Sequence, residues 1–373
     1  MSDSPTLPHI EPTDLEVTPI ERAETIPSAW YREASFHELD RRHIFEKSWQ
    51  FAGHVIQIQQ PGTYLLAEAA GNPIVIVRGK DGSLRAFYNV CRHRGGPLAT
   101  EPCGQVKMLQ CKYHGWTYRL DGMLRGVPRF NRVDLFNKED YGLVPVALAE
   151  WQGLLFVRVS EEGEDLESVM AGIASRIAPT RLDTLHYAGR EVYDIACNWK
   201  NYVDNYLEGY HLPYVHPDLC DVLDVQAYDT ETYPHYSLQS SPLDNAGEVY
   251  GSDAGEAFYY HVFPNFMMNI LPGRLQSNIV LPTGPETCRV IFDYYYEDVE
   301  SPEARARIAA DKKFSDQVQE EDVMICEHVQ RGLASRAYDQ GRFSVECEQG
   351  VYHFQVMLKR AYQKALMEDA TDG

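Results

Sequence analysis
A chain of 373 residues is long enough for two domains, and 44% hydrophobic with 12% aromatic residues describes a packed protein, not a disordered one. A net charge of −21 argues against nucleic acid and anionic membranes as partners. No apolar run approaches the ~18–20 residues that span a bilayer, and the acidic, Pro-rich start has neither the basic nor the apolar region of a secretory signal.

In chain order, residues 1–27 are rich in Pro, Thr and Glu and predict an extended arm. A helix is expected from Ser28 to Lys47, with Ser35 as N-cap and Phe36, Leu39, His43 and Phe45 following at roughly helical spacing. Short strands separated by turn signals (Pro61-Gly62, Asn72-Pro73, Asp81-Gly82, Asp121-Gly122) predict a small all-β domain over 49–160, with residues 1–48 packing on the remainder, 161–373. In that remainder a helix is expected over Asp165–Arg181 and a strand over Glu191–Trp199. Strands dominate from Gln226 to Tyr296, including His261–Pro272, Gln276–Leu281 and Arg289–Tyr296. Helices follow over Pro302–Ala334 and Gly350–Met367. An antiparallel sheet flanked by helices makes the second domain, and the chain as a whole, α+β.

Two stretches carry chemistry. The first is Cys91-Arg92-His93, then seventeen residues, then Cys111-Lys112-Tyr113-His114. Each half offers one thiolate and one imidazole, the donor set of a Rieske [2Fe–2S] centre, in which two cysteines hold one iron and two histidines the other. A structural zinc site could use the same four groups. The spacing favours the cluster: sulfur comes first in both halves, so each loop gives one ligand to each iron. Glycine follows each histidine (Gly95-Gly96, Gly115), where close backbone approach to bridging sulfides is easiest. Cys103, Cys197, Cys220, Cys288, Cys326 and Cys347 are scattered with no disulfide-like pattern, which suits a reducing cytoplasm. From Tyr88 to Arg132 eight Lys/Arg stand against Glu101 and Asp121, a net +6. Such a patch is either a solvated surface or a docking face for an acidic electron donor.

The second stretch runs from Asp204 to Pro217. His211 and His216 are separated by Pro213 and cannot share an unbroken helix face. If His211 ends a helix and His216 follows the break, both imidazoles can turn onto one ion, as in a triad of two histidines and a carboxylate on ferrous iron. Two ordinary loop histidines are the alternative. For the carboxylate, Phe314, Val318, Ile325, Cys326, Val329 and Leu333 mark an apolar stripe on the long helix. With Val318 at zero, about 100° per residue puts Asp322 near ~40°, inside the stripe, Glu321 on its edge and Glu320 nearly opposite. A carboxylate there is costly unless ion-paired, neutral or bound to metal, and two nearby histidines favour metal. Glu208 lies one turn before His211 and projects to its side, as an acceptor for His211 or a bridge to an outside imidazole. Tyr210, Tyr214 and Asn205 read as packing or supporting groups.

With these motifs the chain resembles the catalytic α subunit of Rieske non-haem iron oxygenases from about Trp30 onward. The resemblance rests on Cys-Arg-His-Arg-Gly, Cys-Lys-Tyr-His-Gly-Trp and Asn-Trp-Lys…Asp-Asn-Tyr…Glu-Gly-Tyr-His…His-Pro. It implies a cluster on Cys91, His93, Cys111 and His114 and mononuclear Fe(II) on His211, His216 and Asp322. It also implies a homotrimer in which Glu208 bridges to His114 of a neighbouring subunit. Electrons from NAD(P)H would arrive through a flavin/iron–sulfur reductase or a ferredoxin, with O₂ as co-substrate. Glutamate at 208, where many dioxygenases have aspartate, together with Gln319-Glu320-Glu321-Asp322…Val329-Gln330-Arg331-Gly332-Leu333, looks like the choline, carnitine and betaine monooxygenases. That points to C–H hydroxylation of a small quaternary ammonium or N-methyl substrate, with Tyr206–Tyr214 and Phe258–Phe266 as a candidate cation–π cage. The alternatives are ring hydroxylation of an aryl carboxylate and a Rieske electron carrier without oxygenase activity.

Overall fold
The computed structural model describes residues 7–221, 227–243 and 255–372. The residues expected to form strands at Gln226 and over 244–254, and the first six residues of the arm, lie outside that set. The chain divides into two compact units: Phe45–Leu166 forms one, and the segments on either side of it form the other.

The first unit is built from short antiparallel strands. A seven-stranded sheet has the order β1-β10-β9-β4-β3-β2-β5. Its strands are β1 (Gln50–His54), β2 (Thr63–Ala69), β3 (Asn72–Arg78), β4 (Leu84–Tyr88), β5 (Cys103–Gln105), β9 (Pro145–Trp151) and β10 (Leu154–Arg158). A three-stranded sheet joins β6 (Leu109–Gln110), β7 (Thr117–Tyr118) and β8 (Leu124–Gly126). The run Ile74-Val75-Ile76-Val77 is apolar throughout because β3 is buried on both faces. Alternation sends Ile74 and Ile76 into a core with Leu65, Leu155 and Val157. It sends Val75 and Val77 into another with Phe87, Trp116, Tyr118, Cys91 and Cys111. The two Cys/His loops are therefore seated on one face of this sheet.

The second unit carries a wholly antiparallel seven-stranded sheet, β11-β17-β16-β15-β14-β13-β12. The strands are β11 (His186–Ile195), β12 (Asp229–Thr232), β13 (Tyr236–Pro242), β14 (Glu256–Val262), β15 (Phe266–Leu271), β16 (Arg274–Gly284) and β17 (Thr287–Tyr296). Its helices are α1 (Ala34–Asp40), α2 (Leu166–Val169, which starts at the unit boundary), α3 (Ile173–Arg176), α4 (Trp199–Tyr206), α5 (Leu212–Val215), α6 (Pro302–Leu333) and α7 (Gln349–Asp372). The α+β class expected from the sequence is the observed one. Among the described residues no helix is long and apolar enough to cross a membrane.

Local expectations fail where capping and glycine overrule apolar spacing. Ser35 lies inside α1, whose N-cap is Glu33, and the helix passes into a π turn over Arg41–Phe45. The single helix expected over Asp165–Arg181 is two short ones, parted by Gly172 at φ +88°. The strand expected to reach Trp199 ends at Ile195, because the Asn198 side chain accepts from Lys200 N–H and starts α4. The arm lies along α7: Gln363 donates to Leu15 O (3.0 Å), Tyr352 O–H to Thr18 O (2.7 Å) and Lys359 to Glu16 O (3.2 Å).

Helix α4 is anchored from below by a buried ion pair. Lys200 and Asp40 are both fully buried and in contact, and Lys200 also donates to Trp30 O. Asp40 accepts from Trp199 Nε1–H (2.9 Å) and Tyr362 O–H (2.5 Å) as well. Burial pushes the Lys200 pKa down, and Asp40 opposes that shift. Removing the acid leaves an uncompensated cation in the core. Asp40→Ala is expected to lower unfolding stability by about 3–5 kcal/mol in urea titrations. A loss below about 1 kcal/mol would show that the pair does not anchor this unit.

Candidate functional site
In the first unit the two loops share one backbone design. Gly95 N–H donates to Cys91 O (3.0 Å) and Gly115 N–H to Cys111 O (3.1 Å), and both glycines have positive φ, +71° and +74°. Each turn sets a cysteine at its base and a histidine near its tip. Asn89 fixes the first loop by accepting from Leu98 and Ala99 N–H and donating to Ala99 O. Lys112 N–H donates to Pro97 O and ties the second loop to the first. Adding a Cβ at Gly96 would bring it within 2.9 Å of Cys111 Sγ, so only glycine allows this approach.

Cys91 and Cys111 are buried, whereas His93 is half-buried and His114 exposed. Their rings lie 4.8 Å apart, and His93 stacks on Trp116 at 4.8 Å and 10°. Burial pushes the Cys91 thiol pKa up, and Tyr118, whose hydroxyl lies 3.3 Å from the sulfur, opposes that shift. Two inward sulfurs and two outward imidazoles form the asymmetric donor set that a Rieske cluster requires. All eight cations of the segment Tyr88 to Arg132 are exposed.

In the second unit α4 and α6 run antiparallel and are joined by polar contacts one turn apart. Asn198 N–H donates to Gln330 Oε1 (2.9 Å), Asn201 Nδ2 to Cys326 O (2.9 Å) and Asn205 Nδ2 to Asp322 Oδ1 (2.7 Å). This seam explains why the buried face of α6 carries Gln319, Cys326 and Gln330. Val329, expected in the stripe, is 43% exposed. Asp322 is 16% exposed at its side chain and is held by Asn205 at the end of the seam.

After α4 the chain turns into α5, whose N-cap is His211 and whose C-cap is His216. His211 thus opens a helix where the sequence suggested that it ends one. Pro213 sits in the first turn of α5, where its missing N–H costs nothing. One helical turn separates the two imidazoles and aims both at α6. Donor atoms of His211, His216 and Asp322 lie within 4.8 Å of one another. His216 Nε2 is 2.9 Å and His211 Nε2 3.8 Å from Asp322 Oδ1.

The opposite ring nitrogens are held by two more carboxylates. His211 Nδ1 lies 2.7 Å from Glu208 Oε1, and Glu208 Oε2 accepts from the backbone N–H of Tyr210 and His211. His216 Nδ1 lies 2.6 Å from Glu321 Oε2. Sequence reasoning placed Glu321 at the edge of a stripe and missed this contact; its position beside Asp322 was the available signal. Burial disfavours charge on His216, but Asp322 and Glu321 outweigh it and hold the pKa above the ordinary value. Three carboxylates around two imidazoles leave negative charge in a largely buried site, which fits a divalent cation. Each imidazole directs Nε2 inward and is oriented from behind, as metal-ligating histidines are.

Beside this centre lie two adjoining cavities that share Tyr206, Leu219, Tyr259, Asn269, Val318 and Asp322. Tyr228 lines one, and Phe292 and Phe314 the other. Of the aromatics suggested as a cage, Tyr206 and Tyr259 line the cavities, whereas Tyr210 and Tyr214 are exposed. Tyr228, Phe292 and Phe314 lie outside the two segments suggested as the cage.

Comparison with known proteins agrees with this geometry. Residues 48–137 match the Rieske [2Fe-2S] domain, and residues 182–364 the ring hydroxylating alpha subunit (catalytic domain). The chain is 36% identical over 357 residues to chloroplastic choline monooxygenase of Arabidopsis thaliana, covering 91% of this chain and 83% of that protein. It is 32% identical over 356 residues to the carnitine monooxygenase oxygenase subunit of Acinetobacter baumannii, covering 91% and 95%. A solved quaternary ammonium Rieske monooxygenase in complex with L-carnitine superposes with a TM-score of 0.82 at 32% identity, over 91% of this chain and 96% of that one. The zinc and electron-carrier readings fall away. The chain belongs to the Rieske non-haem iron oxygenases, as a monooxygenase that uses a [2Fe–2S] cluster, a mononuclear iron and electrons from a reductase or ferredoxin.

Proposed function
We propose that this monooxygenase oxidises a C–H bond beside the nitrogen of a small quaternary ammonium or N-methyl compound. The convergence of His211, His216 and Asp322 beside an aromatic-lined cavity carries the reading. It is supported by relatives named for choline and carnitine. Cys91, His93, Cys111 and His114 hold the cluster, and His211, His216 and Asp322 hold the mononuclear iron. Iron in that site supplies O₂ activation for oxidation of the substrate C–H bond. Glu208 and Glu321 orient the imidazoles, Asn205 orients Asp322, and the aromatic walls exclude water and face the cation. Hydroxylation next to nitrogen then collapses to an aldehyde and an amine.

In a homotrimer, Glu208 of one copy would link His114 of its neighbour to His211, joining the cluster to the iron for electron transfer. Support comes from Glu208 standing directly against His211. A further support is the structural relative described for inter-subunit electron transfer. The exposed cations Arg92, Arg94, Lys112, Arg129 and Arg132 on and near the cluster loops are the docking face for an acidic donor. The six cysteines outside the cluster loops form no disulfide, which suits a reducing cytoplasm.

Oxygen uptake with a surrogate reductase tests the substrate class. Choline, carnitine or a betaine is expected to stimulate uptake with matching aldehyde release; stimulation by aryl carboxylates alone would overturn the reading. Glu208→Gln is expected to leave both metals bound while slowing re-oxidation of the cluster in single turnover. A wild-type rate in that variant would remove Glu208 from the electron path.

A further inference from the structure
Gln319 lies on α6 one turn before Asp322, is 1% exposed, and lines the cavity that runs from Asp322 towards Arg274. Its Oε1 accepts from Tyr202 O–H at 2.7 Å. Burial, reinforced by Asp322, holds the Tyr202 pKa well above its ordinary value, so the phenol remains a donor. With that hydroxyl donating to Oε1, Nε2 is turned away from Tyr202. That Nε2 has no hydrogen-bond partner among the described residues. A buried amide donor is seldom left unpaired in a folded protein, and it costs stability when it is.

Neighbouring polar groups of the cavity wall satisfy one another. Arg274, Gln276 and Asn278 alternate along one face of β16. Arg274 Nη2 donates to Gln276 Oε1 (2.7 Å), and Gln276 Nε2 to Asn278 Oδ1 (3.1 Å). The Arg274 charge is matched by Asp311, 2.5 Å away. Tyr206 O–H donates to Asn269 Oδ1 (2.8 Å). Gln319 is thus a donor set into a largely self-satisfied wall, next to the centre where the reaction takes place. Its complement is an oxygen acceptor, which a simple tetraalkylammonium or an arene lacks.

We propose that Gln319 is a specificity-determining residue whose amide N–H binds a carboxylate or hydroxyl oxygen carried on the trialkylammonium substrate. This rests on the quaternary ammonium reading above. It makes the substrate a two-ended molecule: a cationic head against Tyr206, Tyr259 and the metal centre, and an oxygen held by α6.

Equilibrium binding by calorimetry on the anaerobic, iron-loaded protein tests this without turnover. The ligands are choline and γ-butyrobetaine, each paired with an alkyltrimethylammonium of equal length that lacks the oxygen. Wild-type protein is expected to prefer the oxygen-bearing member of each pair by about tenfold or more. Gln319→Leu should bring both ratios to within about threefold. Gln319→Glu keeps an acceptor for Tyr202 but removes the amide donor. It should therefore weaken the carboxylate ligand by about tenfold or more while sparing choline, whose hydroxyl can donate to it. The effect on each ligand tells which oxygen the site is built for. Wild-type ratios in both variants, or an equal loss for all four ligands, would overturn the proposal while leaving the quaternary ammonium reading standing. Failure of wild-type protein to bind any of the four would sink both.

Discussion
The catalytic unit depends on the seam where α4 meets α6. Asn198, Asn201 and Asn205 stand one turn apart on α4 and reach Gln330, Cys326 and Asp322 on α6. Because the contacts are hydrogen bonds with fixed partners, sliding one helix past the other would leave several buried polar groups unpaired at once. The register of two long-range segments is thereby set, and Asp322 arrives opposite the two histidines that follow α4. The buried Lys200–Asp40 pair holds the same helix on its other side. The cluster of His211, His216 and Asp322 is the end point of this packing.

Each unit brings its candidate metal donors together differently. In the first, local turns do nearly all the work: two similar loops, each closed by a glycine N–H to its cysteine carbonyl, sit on a sheet buried on both faces. In the second, one helical turn spaces the imidazoles, and the carboxylate comes from more than a hundred residues further along the chain. Glu208 and Glu321 complete the pattern from behind, so neither imidazole is free to swing. A family of oxygenases needs both solutions in one chain, because the electrons are stored in one place and used in another.

What could be read from the sequence follows this difference. The Cys/His loops were legible because sulfur, nitrogen and glycine fall within a few residues, and their turn is a local object. Asp322 was legible by helical phase, but for an incomplete reason: the stripe taken as apolar is partly exposed at Val329, and the truly buried face is polar where it meets α4. Glu321 and Gln319 were missed for the same cause, since their partners are set by a helix pair and not by spacing. The helix expected over Asp165–Arg181 broke at Gly172, and Trp199 entered a helix because of Asn198, both matters of capping. Strand order was not legible at all. Pairing of β11 with β17 brings Cys197 to 3.9 Å from Cys288, an approach no cysteine spacing would suggest.

The central claim is that His211, His216 and Asp322 hold an iron separate from the cluster, and metal analysis of Asp322→Ala tests it most directly. Wild-type protein loaded anaerobically should carry about three irons per chain, two of them in the cluster. The variant should keep about two, with the spectrum of the cluster intact. A variant that retained the third iron with undiminished affinity would contradict the account.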